Sequence, residues 1–402
     1  MSKSLRWLLA LVAIFSLVAA ACGDDDDSSD GGDDSGDDAG DEGDTGDTGD
    51  AGDGGPIWVL LPDSASSPRW EADDRRFFTA SFEAAGLTEG DGYSIVNAEG
   101  DTTAQIAQAE QAVAAGASVI LLVNLDSATG AAITDIARDG GAKVIDYDRF
   151  TADGEGADVY VSFDNEAVGR TMASVLEPEI DGLSLDEAQV VMLNGSETDN
   201  NAFLFRNGYN ETVEARVEAG DWNLVADQFV PDWDAENAQT AMDQILVGAS
   251  NAVDAVFAAN DNIANAVINS LENAGLDATA VPLSGQDASV VAMQNILLGK
   301  QSMSVYKPIE PLADVAAQAA LALRAGESLD TVTGDFETIQ ISVETGEPTD
   351  EPVGEGVVPY LALNPIAVTA DNMADTVIAD GFRTWEEICT GDVADACPDD
   401  AG

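Results

Sequence analysis

The chain contains no histidine. That removes the side chain most used for general acid–base work, and with it any Ser-His-Asp or Cys-His device. Cysteine is nearly missing as well. Cys22, Cys389 and Cys397 are the only three among 402 residues, too few and too scattered for a cysteine zinc centre. Basic residues number 15 against 76 acidic ones, a net charge of −61. Nucleic acid is a poor partner for such a chain, because phosphate contacts need clustered Lys and Arg. No G-x-x-x-x-G-K-[ST] loop and no convincing G-x-G-x-x-G turn is present. These absences weigh against many enzyme classes, carboxylate chemistry excepted. No metal and no cofactor is expected. Strong acidity aids solubility and implies self-repulsion at low salt.

Long apolar runs are also scarce. The one at the amino terminus, residues 7–21, follows Lys3 and Arg6 and is too short for a comfortable membrane span. It has the layout of a secretory signal. Its end, Leu17-Val18-Ala19-Ala20-Ala21-Cys22-Gly23, resembles a bacterial lipobox. Ala19 stands where that family usually has leucine, three before the cysteine. The resemblance implies that residues 1–21 are removed and that Cys22 carries lipid; the alternative is a plain secretory peptide. Residues 22–56 form an acidic stretch of Asp, Gly, Ser and Thr with no apolar side chain that could build a core. Such a stretch is expected to be a disordered, charge-extended tether. It lacks the D-x-[DN]-x-[DN]-G-x5-E pattern of a calcium loop.

From residue 57 the chain is ordinary in apolar content and long enough for two cores. The short apolar run at 57–61 reads as a strand buried on both faces, 118–123 is the plainest buried strand, and 143–147 and 159–163 read as further strands. Helical periodicity fills the gaps between them. The alternation restarts after Phe163, with strands at 189–193, 224–230, 253–259, 281–283 and 301–306. A further strand fits 357–363, and residues 331–356 read as turn-rich. Alternating strands and helices predict parallel sheets covered on both faces. So many strands divide more economically into two sheets, one for each lobe. Cys389 and Cys397 lie close in the tail and are positioned to pair in an oxidising compartment, or to remain as free surface thiols.

Polar residues stand where the strands end: Arg69 and Trp70, Asp148 and Arg149, Asn200 and Asn201, Trp233, Asn260 and Asp261, Gln286 and Asp287, and Lys307. In open α/β sheets ligands bind outside the carboxyl ends of the strands. Amides, carboxylates, guanidinium, ammonium and indole together suit a small polyhydroxylated molecule. Taken singly, each has a bland reading. Asp148-Arg149 can be an ion pair, Trp233 a core residue and Lys307 a turn residue, and Asp261 is expected to cap the helix after it.

The ordered set of P-R-W at 68–70, Y-D-R at 147–149, S-F-D-N-E at 162–166, D-N-N-A at 199–202, L-F-R at 204–206, A-A-N-D at 258–261, S-G-Q-D at 284–287 and V-Y-K-P at 305–308 resembles the periplasmic sugar-binding proteins of type I topology. The likeness is strongest to the D-xylose-binding proteins of ABC importers and covers residues 57–382. It implies two Rossmann-like lobes with parallel sheets, a ligand cleft between them and three hinge crossings. These are expected near residues 163–165, near Asp287 and near residues 338–343. Lobe 1 would then be 57–163 plus 288–340, lobe 2 would be 164–287 plus 341–382, and 383–402 a tail. Carried over to this chain, Arg69, Arg149, Asn201, Asn260, Asp287 and Lys307 would bond the sugar, and Asp148 would orient Arg149 or bond the sugar itself. Trp233 would be a stacking platform and Trp70 a wall. Asn200 and Gln286 would stand behind them.

The function implied is an extracytoplasmic, membrane-anchored lipoprotein, a monomer, that captures a monosaccharide for ABC permease subunits. D-xylose comes first; glucose, arabinose and ribose are alternatives. A chemosensory sugar receptor, a glycosidase using Asp148 and Asp287, and a sugar-responsive repressor are further alternatives. The last lacks a helix-turn-helix before the first strand.

Overall fold

The computed structural model describes residues 54–398. The expected leader, Cys22 and nearly all of the acidic stretch lie outside these residues. The chain opens β1 (Ile57–Leu61), α1 (Arg75–Ala84), β2 (Tyr93–Asn97), α2 (Thr102–Ala114), β3 (Val119–Leu122), α3 (Gly130–Asp139), β4 (Lys143–Tyr147), β5 (Val159–Phe163). Alternate residues of a strand face opposite sides, and the core divides accordingly. Val59, Leu61 and Leu121 belong to one apolar cluster, while Trp58, Leu60, Ile120 and Leu122 pack with Ala109, Ala112, Ile133 and Ala137 of α2 and α3 on the other face. This two-faced burial is why β1 and β3 read as unbroken apolar runs.

The second half begins α4 (Asn165–Gly182), β6 (Ala188–Asn194), α5 (Asn200–Ala219), β7 (Trp222–Phe229), α6 (Ala235–Gly248), β8 (Ala255–Ala258), α7 (Asp261–Asn273), α8 (Val290–Leu297), β9 (Ser304–Tyr306). It closes with α9 (Ile309–Ala325), β10 (Phe336–Ser342), β11 (Pro348–Thr349), β12 (Val357–Leu363), β13 (Ile366–Val368) and α10 (Trp385–Ile388). The first sheet runs β11-β10-β12-β5-β4-β3-β1-β2. Its strands from β12 to β2 are parallel, and β10 is antiparallel to β12. The second runs β7-β6-β8. Single bridges from Val256 to Leu283 and from Gln286 to Val305 extend it to β9, which pairs with β13.

Two of the three crossings differ from the sequence expectation. The first does lie between β5 and α4, at Asp164. The second is at Lys307–Pro308, not near Asp287, because β9 is hydrogen-bonded to the 283–287 segment: Val305 N–H donates to Gly285 O and Asp287 N–H to Val305 O, each at 2.9 Å. The third is at Asn364–Pro365, not near 338–343. The supposed turn-rich region holds β10, which is locked along its full length to β12 in the first sheet. Lobe 1 is therefore 57–163 with 309–363, and lobe 2 is 164–307 with 366–398. Asp164 N–H donates to Leu363 O (2.8 Å), so the first and third crossings are bonded to each other. In the tail, Cys389 and Cys397 form a disulfide, and Ile388 packs with Met373, Val377 and Phe382 against Ala292 and Met293 of α8.

Helices α4 and α5 approach through a glycine pair. A Cβ on Gly169 would lie 2.1 Å from Phe205 O, and one on Gly208 would lie 2.1 Å from Glu166 O. Both obstacles are backbone and cannot swing aside. We expect Gly169→Ala to lower unfolding stability by about 1–3 kcal/mol, the usual cost of overpacking, as a lower denaturation midpoint in urea with unchanged secondary structure.

Candidate functional site

The carboxyl ends of both sheets face one another across a cavity with about 310 Å3 of space unfilled by protein atoms, part of it open to solvent. Loops from both lobes enclose it. Lobe 1 supplies Ser66, Ser67, Arg69 and Trp70 after β1, and Asp148 and Arg149 after β4. Lobe 2 supplies Asp199, Asn201 and Phe205 around the start of α5, with Trp233, Asn260, Gln286 and Asp287. Lys307 enters from the second crossing.

Asp148 is the meeting point of the two lobes. It is buried, with φ 63°. Its carbonyl oxygen accepts from Tyr160 Oη (2.8 Å), Ser162 Oγ (2.9 Å) and Asn201 Nδ2 (2.8 Å). Its Oδ2 accepts from Arg69 Nη1 (2.8 Å) and Lys307 Nζ (3.3 Å). Burial alone would raise the carboxyl pKa. Arg69, Lys307 and Arg149 outweigh that and hold it well below the usual carboxylate range. Arg69 is in turn fixed by a fork onto Asp74 (Nε–Oδ2 2.9 Å, Nη2–Oδ1 2.8 Å), which also accepts from Tyr147 Oη (2.7 Å). Its guanidinium lies 4.2 Å from the Trp70 ring centroid.

Arg149 forms an ion pair with Asp199 (Nε–Oδ2 3.1 Å) and donates to Asn124 O (3.2 Å) and Ser66 Oγ (3.2 Å). Asp199 also accepts from the Trp233 indole N–H (3.2 Å) and, as the N-cap of α5, from Asn201 N–H (3.0 Å). Trp233 adopts φ 56°, and Asp232, Asp287 and Ala288 are also at positive φ (57°, 95° and 45°). Left-handed backbone is costly for side chains of this size and clusters at functional sites. Gly195 makes room for the indole: a Cβ there would sit 2.0 Å from its ring.

One buried carboxylate underlies a site loop in each lobe. Asp146 accepts from Thr151 N–H and Oγ (both 2.8 Å), closing the turn that carries Asp148 and Arg149. Asp261 accepts from Ser289 N–H (2.8 Å), Ser304 Oγ (2.8 Å) and Gln301 Nε2 (3.1 Å), clamping the segment that carries Gln286 and Asp287. Burial pushes both carboxyls up to about 7. Asp261 is thus not the cap of its helix. Asn260 is, accepting from Ile263 N–H (3.0 Å) while its Nδ2 reaches across to Ser66 O (3.4 Å).

Of the residues singled out in the sequence, Arg69, Trp70, Asp148, Arg149, Asn201, Trp233, Asn260, Gln286, Asp287 and Lys307 line the cavity. Asn200 does not. Its N–H and Nδ2 bond Ser127 Oγ (3.0 Å) and Gly346 O (2.7 Å), tying the lobes together outside the cavity. Asp199, Phe205, Ser66 and Ser67 were not anticipated. The first two carried a signal: Asp199 has the capping position before a helix, and Phe205 lies one turn beyond Asn201 on the same helical face.

A family model described as "Periplasmic binding protein domain" matches residues 58–328. The chain belongs to the periplasmic binding protein family. It is 36% identical to the D-xylose-binding periplasmic protein of Haemophilus influenzae, over 81% of this chain and 90% of that one. It is 33% identical to the Escherichia coli protein of the same name, over the same shares. Among solved structures it resembles an ABC transporter solute binding protein from Clostridium phytofermentans with bound β-D-glucose. That match has TM-score 0.71 and 22% identity, covers 83% of this chain and 99% of the other, and is a likeness of fold. This binding protein has mostly parallel sheets in two lobes.

The two clamping carboxyls predict a pH dependence. Each binds its proton more tightly in the folded chain, so its contribution to stability is full below pH 3.8 and is lost as pH rises through about 7. Asp146→Asn should therefore flatten the fall in thermal midpoint between those limits. An unchanged slope in calorimetry would contradict the assignment.

Proposed function

We propose that this protein is an extracytoplasmic solute-binding lipoprotein that captures one monosaccharide, D-xylose first, and hands it to an ABC permease. The observation that carries the reading is an unmet hydrogen-bonding demand inside the cavity. Gln286 Oε1 is buried with no partner, and its cavity neighbours are cations, carboxylates and amides from both lobes. A buried acceptor without a donor is costly. A sugar hydroxyl entering the cavity supplies that donor and can accept from Arg69, Arg149 or Lys307 in return.

The lining agrees. Trp233, Trp70 and Phe205 offer apolar surfaces for its C–H faces. The names of the relatives support D-xylose, and a bound glucose in a structural neighbour keeps other aldoses in play. Glycosidase chemistry fits poorly. Asp148 is held ionised by three cations, the opposite of the raised pKa that a general acid needs. Binding would shift an open–closed equilibrium toward the closed lobes, the form that the permease engages. Cys22 would anchor the protein through lipid, with the acidic stretch as spacer.

Titration calorimetry of the protein against D-xylose, D-glucose, L-arabinose and D-ribose tests this. Saturable one-site binding of D-xylose is expected, weakened about 100-fold in Asp287→Ala, the scale of a lost charge-assisted hydrogen bond. Preference for another of the four corrects the substrate alone. Folded protein that binds none of them overturns the sugar reading.

A further inference from the structure

A second cavity adjoins the first. It has about 1010 Å3 of unfilled space, part of it open to solvent, and lies between the Asp63–Ser66 loop and Glu99 of lobe 1 and Ser196, Asp232 and Asn237 of lobe 2. Four residues line both cavities: Ser66, Arg149, Asp199 and Trp233. They form the wall between them. The outer cavity's polar groups are largely bonded to each other. Ser66 Oγ donates to Asp63 (2.7 Å), Ser64 Oγ to Glu99 (3.0 Å), Ser196 and Thr198 share a bond (2.9 Å), and Asp234 accepts from Asn237 N–H (2.9 Å). A space whose groups are already satisfied suits a passage better than a second binding site.

We propose that the Arg149–Asp199 ion pair is the gate of that passage, and that Asp199 is a positioning residue which sets how long the ligand is held. This rests on the sugar-binding reading above. The pair joins lobe 1 to lobe 2 at 3.1 Å, with side chains 7% and 4% exposed. Asp199 is the only carboxylate paired with Arg149 among the described residues. The same Asp199 oxygen holds the Trp233 indole, so one carboxylate sets both the door and the wall beside it. Among the described residues two other ion pairs join the lobes, Lys307–Asp148 within the cavity and Arg383–Asp73 (3.3 Å) beside α1, and neither lines the outer cavity. When the lobes part, Arg149 and Asp199 move away with their own lobes. The pair is therefore absent while a sugar enters and present while it is held. Removing it should leave association alone and speed dissociation.

Stopped-flow tryptophan fluorescence separates the two rates, since Trp70 and Trp233 line the cavity. The probe is whichever of the four sugars above binds the wild-type protein. Asp199→Asn is expected to raise the dissociation rate about 30-fold, as for one partner removed from a buried charge pair, with association within about threefold of wild type. Asp199→Ser retains a helix-capping oxygen and serves as the second variant, with the same expected split, should the first fold poorly. A general structural lesion would slow association or lower the active fraction instead. Unchanged dissociation in a variant that still binds overturns the gate and leaves the sugar reading standing, and so does slowed association with unchanged dissociation. A wild-type protein with no response to any of the four sugars overturns both.

Discussion

A single carboxylate buried between the lobes organises the rest of the site. Asp148 takes cations on its side chain from the turn after β1 and from the second crossing, and three donors on its carbonyl oxygen. An unpaired charge at that depth would be prohibitively costly. Arg69 and Lys307 must therefore converge on it, and Asp74 must hold Arg69 from behind. Such a network holds only when every member is in place, which makes the cleft geometry a collective property of loops from both lobes.

The cluster is more notable given the overall charge. The chain carries only 15 basic residues against 76 acidic ones, yet Arg69, Arg149 and Lys307 are all buried around one cavity. Each is matched by a carboxylate in its own surroundings. The cavity is thus locally balanced inside a strongly acidic molecule, a setting suited to a neutral, hydroxyl-rich ligand. Below the loops, Asp146 and Asp261 do equivalent work in the two lobes. Each uses a buried acid to close the turn that presents polar residues to the cleft.

Much of this was legible in the sequence. The buried strands β1 and β3 are continuous apolar runs, and polar residues at the carboxyl ends of the strands mark the cleft edge. The crossings were not legible. β9 is three residues long and β10 is only half-buried, so neither gives a strong periodic signal, and only hydrogen-bond partners assign them to a sheet. Asn200 and Asn201 are adjacent and chemically alike, yet one turns into the cavity and the other bridges the lobes. Successive residues of a helix point about 100° apart, and which direction meets the cleft depends on how α5 is docked.

The sequence by itself determined the alternation of strand and helix, the two cores, the absence of histidine chemistry and the inventory of polar groups at the strand ends. These follow from local patterns and composition, which are written residue by residue. Tertiary structure alone decided which strands pair, where the chain crosses between lobes, that Asp199 meets Arg149, and that Gln286 is left with an unmet acceptor. Those facts depend on contacts between residues far apart in the chain, and no local pattern encodes a distance across the cleft.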